Sequence, residues 1–147
     1  MTARKEILFL FHLPRILFML IGAVWLSSSP VFADWVKVAS ADSERLTIYA
    51  NPETISRSGE FVTVWQLLDF KTTQLTGGKP YLSVMMETEF HCARLQSRRL
   101  QLAQFSGNMG SGQTQLANSS TQEWAAVQPN SPLHALWAFL CATPNPS

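Results

Sequence analysis

Apolar and polar residues follow short strand-like patterns along most of the chain after residue 34. The segment 61–70 is apolar on both faces, which is typical of a central, covered strand. Turn residues separate the segments, and Gly77-Gly78 marks 71–80 as a hairpin loop, while 51–59 is predicted to be another loop. The predicted strands are 35–39, 46–50, 61–70, 81–92, 98–106 and 113–117.

The pattern changes to a helical period near the C-terminus. Ser131 is a helix-capping residue and Pro132 fits the first helical turn, where its missing N–H would be unpaired anyway. Five apolar residues then recur at helical spacing and share one face: Leu133, Leu136, Trp137, Leu140 and Cys141. We therefore predict a helix that packs this face on the sheet.

Together these elements predict an α+β domain, with a five- or six-stranded antiparallel meander sheet and a C-terminal helix packed on one face. Cys92 falls on the apolar face of its strand, and Cys141 falls on the apolar face of the helix. A disulfide between Cys92 and Cys141 is therefore predicted to tie the helix to the sheet. In the chain-entropy model a loop of about 50 residues closed this way stabilises the fold by about 4 kcal/mol.

Residues 1–33 have the pattern of a cleaved secretory signal peptide, with a basic start, an apolar run and small residues before Asp34. An uncleaved membrane anchor is the alternative, but the apolar run is shorter than the roughly 20 residues of a spanning helix. No cysteine precedes Cys92, so no lipid anchor is expected, and cleavage of the signal is expected to leave no transmembrane anchor. Export also favours the disulfide, because extracytoplasmic thiols oxidise readily.

Residues 34–147 are expected to form a single domain. This part of the chain carries eight Lys and Arg residues against nine Asp and Glu residues, a net charge of −1. A nucleic-acid-binding protein is normally far more basic, so nucleic acid is excluded as an expected partner.

One short helix covers only one sheet face, so the other face is the candidate binding surface. It could be an ordinary solvent-exposed sheet face, a homodimer interface or a ligand-binding surface. Strand alternation assigns to it Tyr81, Met85, Glu87, Glu89, His91 and Arg99. A second candidate is a basic patch at the turn before the fifth predicted strand, formed by Arg94, Arg98 and Arg99.

No catalytic residue, metal site or cofactor is predicted. His91 and Cys92 are adjacent on a strand and point to opposite faces, which argues against a zinc site completed by His134 and Cys141. No G-x-S-x-G motif marks a nucleophile. The cysteines are far apart in sequence, unlike a C-x-x-C redox pair.

Motifs in order along the chain resemble the surface-adhesin protein E family of Gram-negative bacteria, over nearly all of 34–141. The residues that carry the resemblance are Trp35; Tyr49, Pro52, Ile55 and Gly59; Val64, Trp65 and Asp69; Glu87, Glu89 and Cys92; Arg98, Arg99 and Leu100; and Trp124, Val127, Pro129, Ser131 and Cys141. The family's fold implies an antiparallel sheet with a disulfide-held C-terminal helix, in agreement with the residue patterns.

The resemblance implies an exported, non-enzymatic binding module in the periplasm or on the outer cell surface of a Gram-negative bacterium. Its protein partner is unidentified; host extracellular-matrix proteins, envelope proteins and a second copy of the chain are the expected classes. The alternatives are a small periplasmic hydrolase or redox protein, and a structural component of the envelope.

Overall fold

Eight strands form one antiparallel sheet, followed by one helix, in the computed structural model, which describes residues 34–142. The predicted signal peptide, 1–33, and the C-terminal residues 143–147 lie outside the described residues. The strands are β1 Val36–Ala41, β2 Leu46–Ala50, β3 Ser56–Ser58, β4 Phe61–Thr76, β5 Lys79–His91, β6 Gln96–Phe105, β7 Thr114–Asn118 and β8 Ala125–Ala126; the helix is α1 Pro132–Cys141.

The sheet confirms the predicted α+β class but has more strands than predicted. Six strands lie in the order β1-β2-β4-β5-β6-β7, while β3 pairs with β4 and β8 pairs with β6. The two extra strands, β3 and β8, have three and two residues and are too short to show an alternating pattern. Strand β4 lies between β2 and β5, as its two apolar faces predict.

The β4–β5 hairpin is much longer than predicted, because most of the predicted loop 71–80 continues the two strands. The turn itself is only Gly77-Gly78, where φ is 56° and 77°, values that favour glycine. Pairing is irregular between Asp69 and Gln74, which separates a distal arm from the rest of the hairpin. Two hydrogen bonds connect this arm to later strands: Gln104 Nε2 donates to Thr76 Oγ1 (3.4 Å), and Lys79 Nζ donates to the Gln115 carbonyl (3.4 Å).

Helix α1 begins and packs as predicted. The Ser131 hydroxyl accepts a hydrogen bond from the His134 N–H (3.1 Å), and Pro132 occupies the first turn. Leu136 and Leu140 are fully buried in one core cluster with sheet residues. Burial of a leucine contributes about 1.5–3 kcal/mol, so this contact holds the helix on the sheet. The cluster consists of Ala50, Val62, Val64, Phe90, Val127, Leu136 and Leu140.

The predicted disulfide is present between Cys92 and Cys141, with a Cα–Cα distance of 5.5 Å. It lies at the end of β5 and joins the sheet to the last residue of α1. Nearby, Arg57 Nη2 donates to the Leu140 carbonyl (2.7 Å), which satisfies one of the free carbonyl groups at the helix C-terminus. Within residues 34–142, no helix is long and apolar enough to span a membrane.

Candidate functional site

The sheet face opposite α1, called the outer face below, is the candidate site. Strand pairing defines it, because residues directly opposite each other on antiparallel strands share a face. The outer-face residues of β4 and β5 pair as Phe61–His91, Thr63–Glu89, Trp65–Glu87, Leu67–Met85 and Asp69–Ser83. Strand β6 adds Gln96, Arg98, Gln101, Ala103 and Phe105 to the same face.

A loop, 106–112, covers one end of the outer face. The Asp69 carboxylate accepts hydrogen bonds from the Met109 N–H (2.7 Å) and from Asn108 Nδ2 (3.1 Å). The Ser83 hydroxyl donates to the Gly107 carbonyl (2.6 Å) and accepts from the Gly110 N–H (2.9 Å). These bonds hold the loop directly above the sheet.

An aromatic cluster covers the other end. Trp124 lies 5.8 Å from Phe61 and 6.1 Å from His91 between ring centroids, and the Arg98 guanidinium lies over the Trp124 ring at 4.5 Å. Arg98 Nε also forms an ion pair with Glu89 (2.6 Å). Stacking on the ring and pairing with the carboxylate fix the Arg98 side chain, which in turn holds Trp124 against the sheet.

Trp65 lies between the loop 106–112 and the aromatic cluster, and it is half-buried on the central strand. Its cross-strand neighbour Glu87 accepts a hydrogen bond from Gln101 Nε2 (2.8 Å). Thr63 separates Trp65 from the aromatic cluster along β4. The middle of the outer face is therefore a saddle, defined here as Thr63, Trp65, Glu87 and Gln101, with an indole at its centre.

The structure places several of the sequence-predicted residues on the outer face but changes their surroundings. Glu87 and Glu89 have hydrogen-bonding partners there. His91 is only 6% exposed and lies against Phe61, with its Nε2 atom 3.6 Å from a Glu60 carboxylate oxygen. Met85 lies beneath Gly110. Tyr81 is on the distal hairpin arm, edge-on to Phe70 at 5.9 Å, away from the saddle.

The assignment of Arg99 to the outer face is wrong. Gln101 pairs with Glu87, but Arg99, two residues earlier, pairs with Thr88, so a β-bulge in β6 shifts the alternation by one residue. Thr88 is on the helix side, because its partner Val64 belongs to the core under α1. Arg98 therefore takes the outer-face position that the sequence analysis gave to Arg99.

The same bulge separates the arginines of the predicted basic patch from one another. Arg98 and Arg99 lie on opposite sides of the sheet, and Arg98 is neutralised by Glu89. Arg94 is exposed in a short 3₁₀ turn, Cys92–Arg94, at the end of β5. The three side chains do not form one surface.

Three residues that shape the outer face were not predicted from the sequence: Phe61, Trp65 and Trp124. For Phe61 and Trp65 the signal was available, since alternation places both on one face of the central strand. Trp124 could not be assigned from alternation, because it lies outside any strand. Among residues 34–142, no group of three or more His, Cys, Asp or Glu side chains is arranged to hold a metal ion.

Comparisons with known proteins agree with this fold. The family model described as surface-adhesin protein E matches residues 35–142. Crystal form II of Haemophilus influenzae protein E has a TM-score of 0.60 at 13% identity, covering 76% of this chain and 90% of that one. Another structure of H. influenzae protein E gives 0.57 at 14% identity, with 76% and 86% covered.

Protein E from non-typeable H. influenzae gives a TM-score of 0.53 at 14% identity, with 78% and 79% of the two chains covered. No curated protein matches the sequence. At these identities the structural likeness shows a shared fold, whereas the family model spans most of the chain. The chain therefore belongs to the surface-adhesin protein E family.

Proposed function

We propose that this protein is an exported, non-enzymatic binding module that holds a protein partner on the saddle of its outer face. The observation that carries this proposal is Trp65, an indole half-buried at the centre of the sheet between two covered ends. Tryptophan is among the residues most enriched at binding hot spots, since it offers a large contact area with little conformational freedom to lose.

The surroundings of Trp65 fit a protein partner. Glu89 is paired with Arg98, so a partner can cover it without leaving an unpaired charge, and Glu87 already accepts a hydrogen bond from Gln101. The polar groups of the saddle then form the rim around an aromatic centre, which is the usual anatomy of a protein interface. Membership in a surface-adhesin family supports binding rather than catalysis as the activity.

Binding to immobilised extracellular-matrix proteins tests the proposal. We expect Trp65→Ala to weaken binding by at least about tenfold, because hot-spot truncation costs about 2 kcal/mol or more. Leu75→Ala is the matched control, because Leu75 is 70% exposed on the distal hairpin arm, away from the saddle. Circular dichroism must show that both variants fold. Equal binding by Trp65→Ala and the wild type would exclude the saddle.

A second copy of the chain is a further candidate occupant of the outer face. Sedimentation velocity of the wild type and Trp65→Ala distinguishes this case from a foreign partner. A wild-type dimer that becomes a monomer in Trp65→Ala would make the saddle a self-association surface. A wild-type monomer at all concentrations would exclude the homodimer.

The proposed location is outside the cytoplasm, in the periplasm or on the outer cell surface. Protease treatment of intact cells separates the two compartments. Digestion while periplasmic controls stay protected would place the protein on the surface and support matrix binding. Protection until the outer membrane is opened would place it in the periplasm, and the partner would then be an envelope protein.

A further inference from the structure

Glu87 is an outer-face carboxylate that no cation of the protein neutralises. Gln101 Nε2, a neutral amide, donates to its Oε2 atom (2.8 Å). In the part of the chain that the structure describes, no Lys, Arg or His side chain forms an ion pair with Glu87. The other two strand carboxylates of this face are engaged, since Glu89 pairs with Arg98 and Asp69 accepts two hydrogen bonds from the loop above it. Glu87 is therefore available to pair with a cation from outside the protein.

Two residues further along β5, the outer face already contains a carboxylate that is satisfied beside an indole. Glu89 pairs with Arg98 Nε (2.6 Å), and the Arg98 guanidinium lies over the Trp124 ring at 4.5 Å. The ring attracts the cation through its π face, and the carboxylate neutralises it. An indole, a carboxylate and a guanidinium thus form one complete group of three on this surface.

The saddle holds two of the same three groups and lacks the guanidinium. Trp65 and Glu87 are directly opposite each other on β4 and β5, which places their Cβ atoms about 4.5–5.5 Å apart. The β6 residue opposite Glu87 is Gln101, whereas the β6 residue opposite Glu89 is Arg98. Both Trp65 and Glu87 remain partly exposed. The arrangement is therefore complementary to a cation that approaches from solvent.

We infer that the saddle binds an arginine side chain of its protein partner, an inference that rests on the proposed function of this site. The guanidinium stacks on the Trp65 indole and donates to the Glu87 carboxylate, because Gln101 occupies only one of its oxygens. A lysine fits less well, since its ammonium group cannot stack flat on the ring. A neutral side chain would cover Glu87 without neutralising its charge, which costs free energy.

Titration of the isotope-labelled full chain with the peptide acetyl-Gly-Arg-Gly-amide tests this inference, with NMR detection at the Trp65 indole N–H. We expect a saturable shift of this signal. The same peptide with citrulline in place of arginine has nearly the same shape without the charge. It is expected to bind at least about tenfold more weakly. This comparison needs only the wild-type protein.

Two saddle variants test the charge of Glu87 directly. Glu87→Gln should weaken binding of the arginine peptide by at least about tenfold, because it removes the charge and keeps the size of the side chain. Gln101→Arg should weaken it by a similar factor, since a guanidinium on β6 would pair with Glu87 from within the chain, as Arg98 does with Glu89. Glu44→Gln is the matched control and should leave binding unchanged, because Glu44 is exposed in the turn between β1 and β2.

The inference is overturned if the arginine peptide fails to bind, if the citrulline peptide binds equally well, or if either saddle variant binds like the wild type. Binding to immobilised matrix proteins separates this failure from failure of the proposed function. Loss of that binding in Trp65→Ala but not in Glu87→Gln would keep the saddle and exclude arginine recognition. Unchanged binding in both variants would overturn the proposed function itself. If Glu87→Gln does not fold, the comparison of the two peptides decides alone.

Discussion

In the loop over the outer face, Gly110 has a backbone conformation that favours glycine. Its φ is 71°, and a Cβ added there would overlap the methyl group of Met85. We expect Gly110→Ala to lower the free energy of unfolding by about 1–3 kcal/mol, measured by urea denaturation. Gly77→Ala is the matched control, because Gly77 also has a positive φ (56°) but meets no atom within 4 Å.

The difference between these two glycine variants isolates the contact with Met85. Gly110→Ala should be the more destabilising, and the excess should disappear when Met85→Ala is added. Equal losses for Gly110→Ala and Gly77→Ala would mean that only backbone conformation matters at Gly110.

Ser131 is a residue whose role the sequence already predicted. Its hydroxyl accepts the His134 N–H at the start of α1. Ser131→Ala should lower the free energy of unfolding by about 1 kcal/mol, whereas Ser131→Asp should keep most of the stability, because aspartate is an equally good cap. Thermal unfolding checks both variants; a loss in Ser131→Asp as large as in Ser131→Ala would contradict the capping role.

At the scale of elements, Asp69 and Ser83 each form two of the hydrogen bonds that hold the loop 106–112 on the outer face. Asp69→Ala removes the acceptor for the Met109 N–H and one of the two acceptors for Asn108 Nδ2, which also donates to the Phe70 carbonyl (2.8 Å). We expect faster hydrogen exchange at the Met109 amide, with unchanged exchange in the aromatic cluster at the other end of the face. Asp42→Ala is the control, since Asp42 is exposed and its carboxylate pairs with Arg45 within its own turn. Unchanged exchange at Met109 would show that the Ser83 hydrogen bonds and the Asn108–Phe70 hydrogen bond suffice to hold the loop.

At the scale of the whole molecule, the disulfide joins the end of β5 to the end of α1 across 49 residues of sequence. Cys92→Ser and Cys141→Ser should each lower the free energy of unfolding by about 4 kcal/mol, because each removes the same cross-link. Urea denaturation of both variants checks this, with the reduced wild type as the reference. Widely different losses would show that one cysteine has a separate role.

The Cys92–Cys141 disulfide also tests the alternative that the protein is a redox protein. A structural disulfide should resist glutathione until the protein unfolds, because it is partly buried against the core. Rapid reduction of the folded protein by glutathione would favour a redox function over a binding module.

The sequence alone determined the features that depend on local patterns. Alternation identified the six main strands, Ser131-Pro132 identified the helix start, and the apolar faces of β5 and α1 brought Cys92 and Cys141 together. These predictions succeeded because each rests on residues close in sequence or on one repeating period. The motif order also identified the family, since it spans nearly the whole domain.

Only the tertiary structure decided which residues form the surfaces. One bulge in β6 exchanges Arg98 and Arg99 between the two faces, and no residue pattern in the sequence announces it. The loop and the aromatic cluster that cover the outer face contact strand residues more than ten positions away in sequence. Met109 donates a hydrogen bond to Asp69, and Trp124 packs against Phe61. Register and long-range contacts arise from the packing of the whole sheet, so they cannot be obtained from local periodicity.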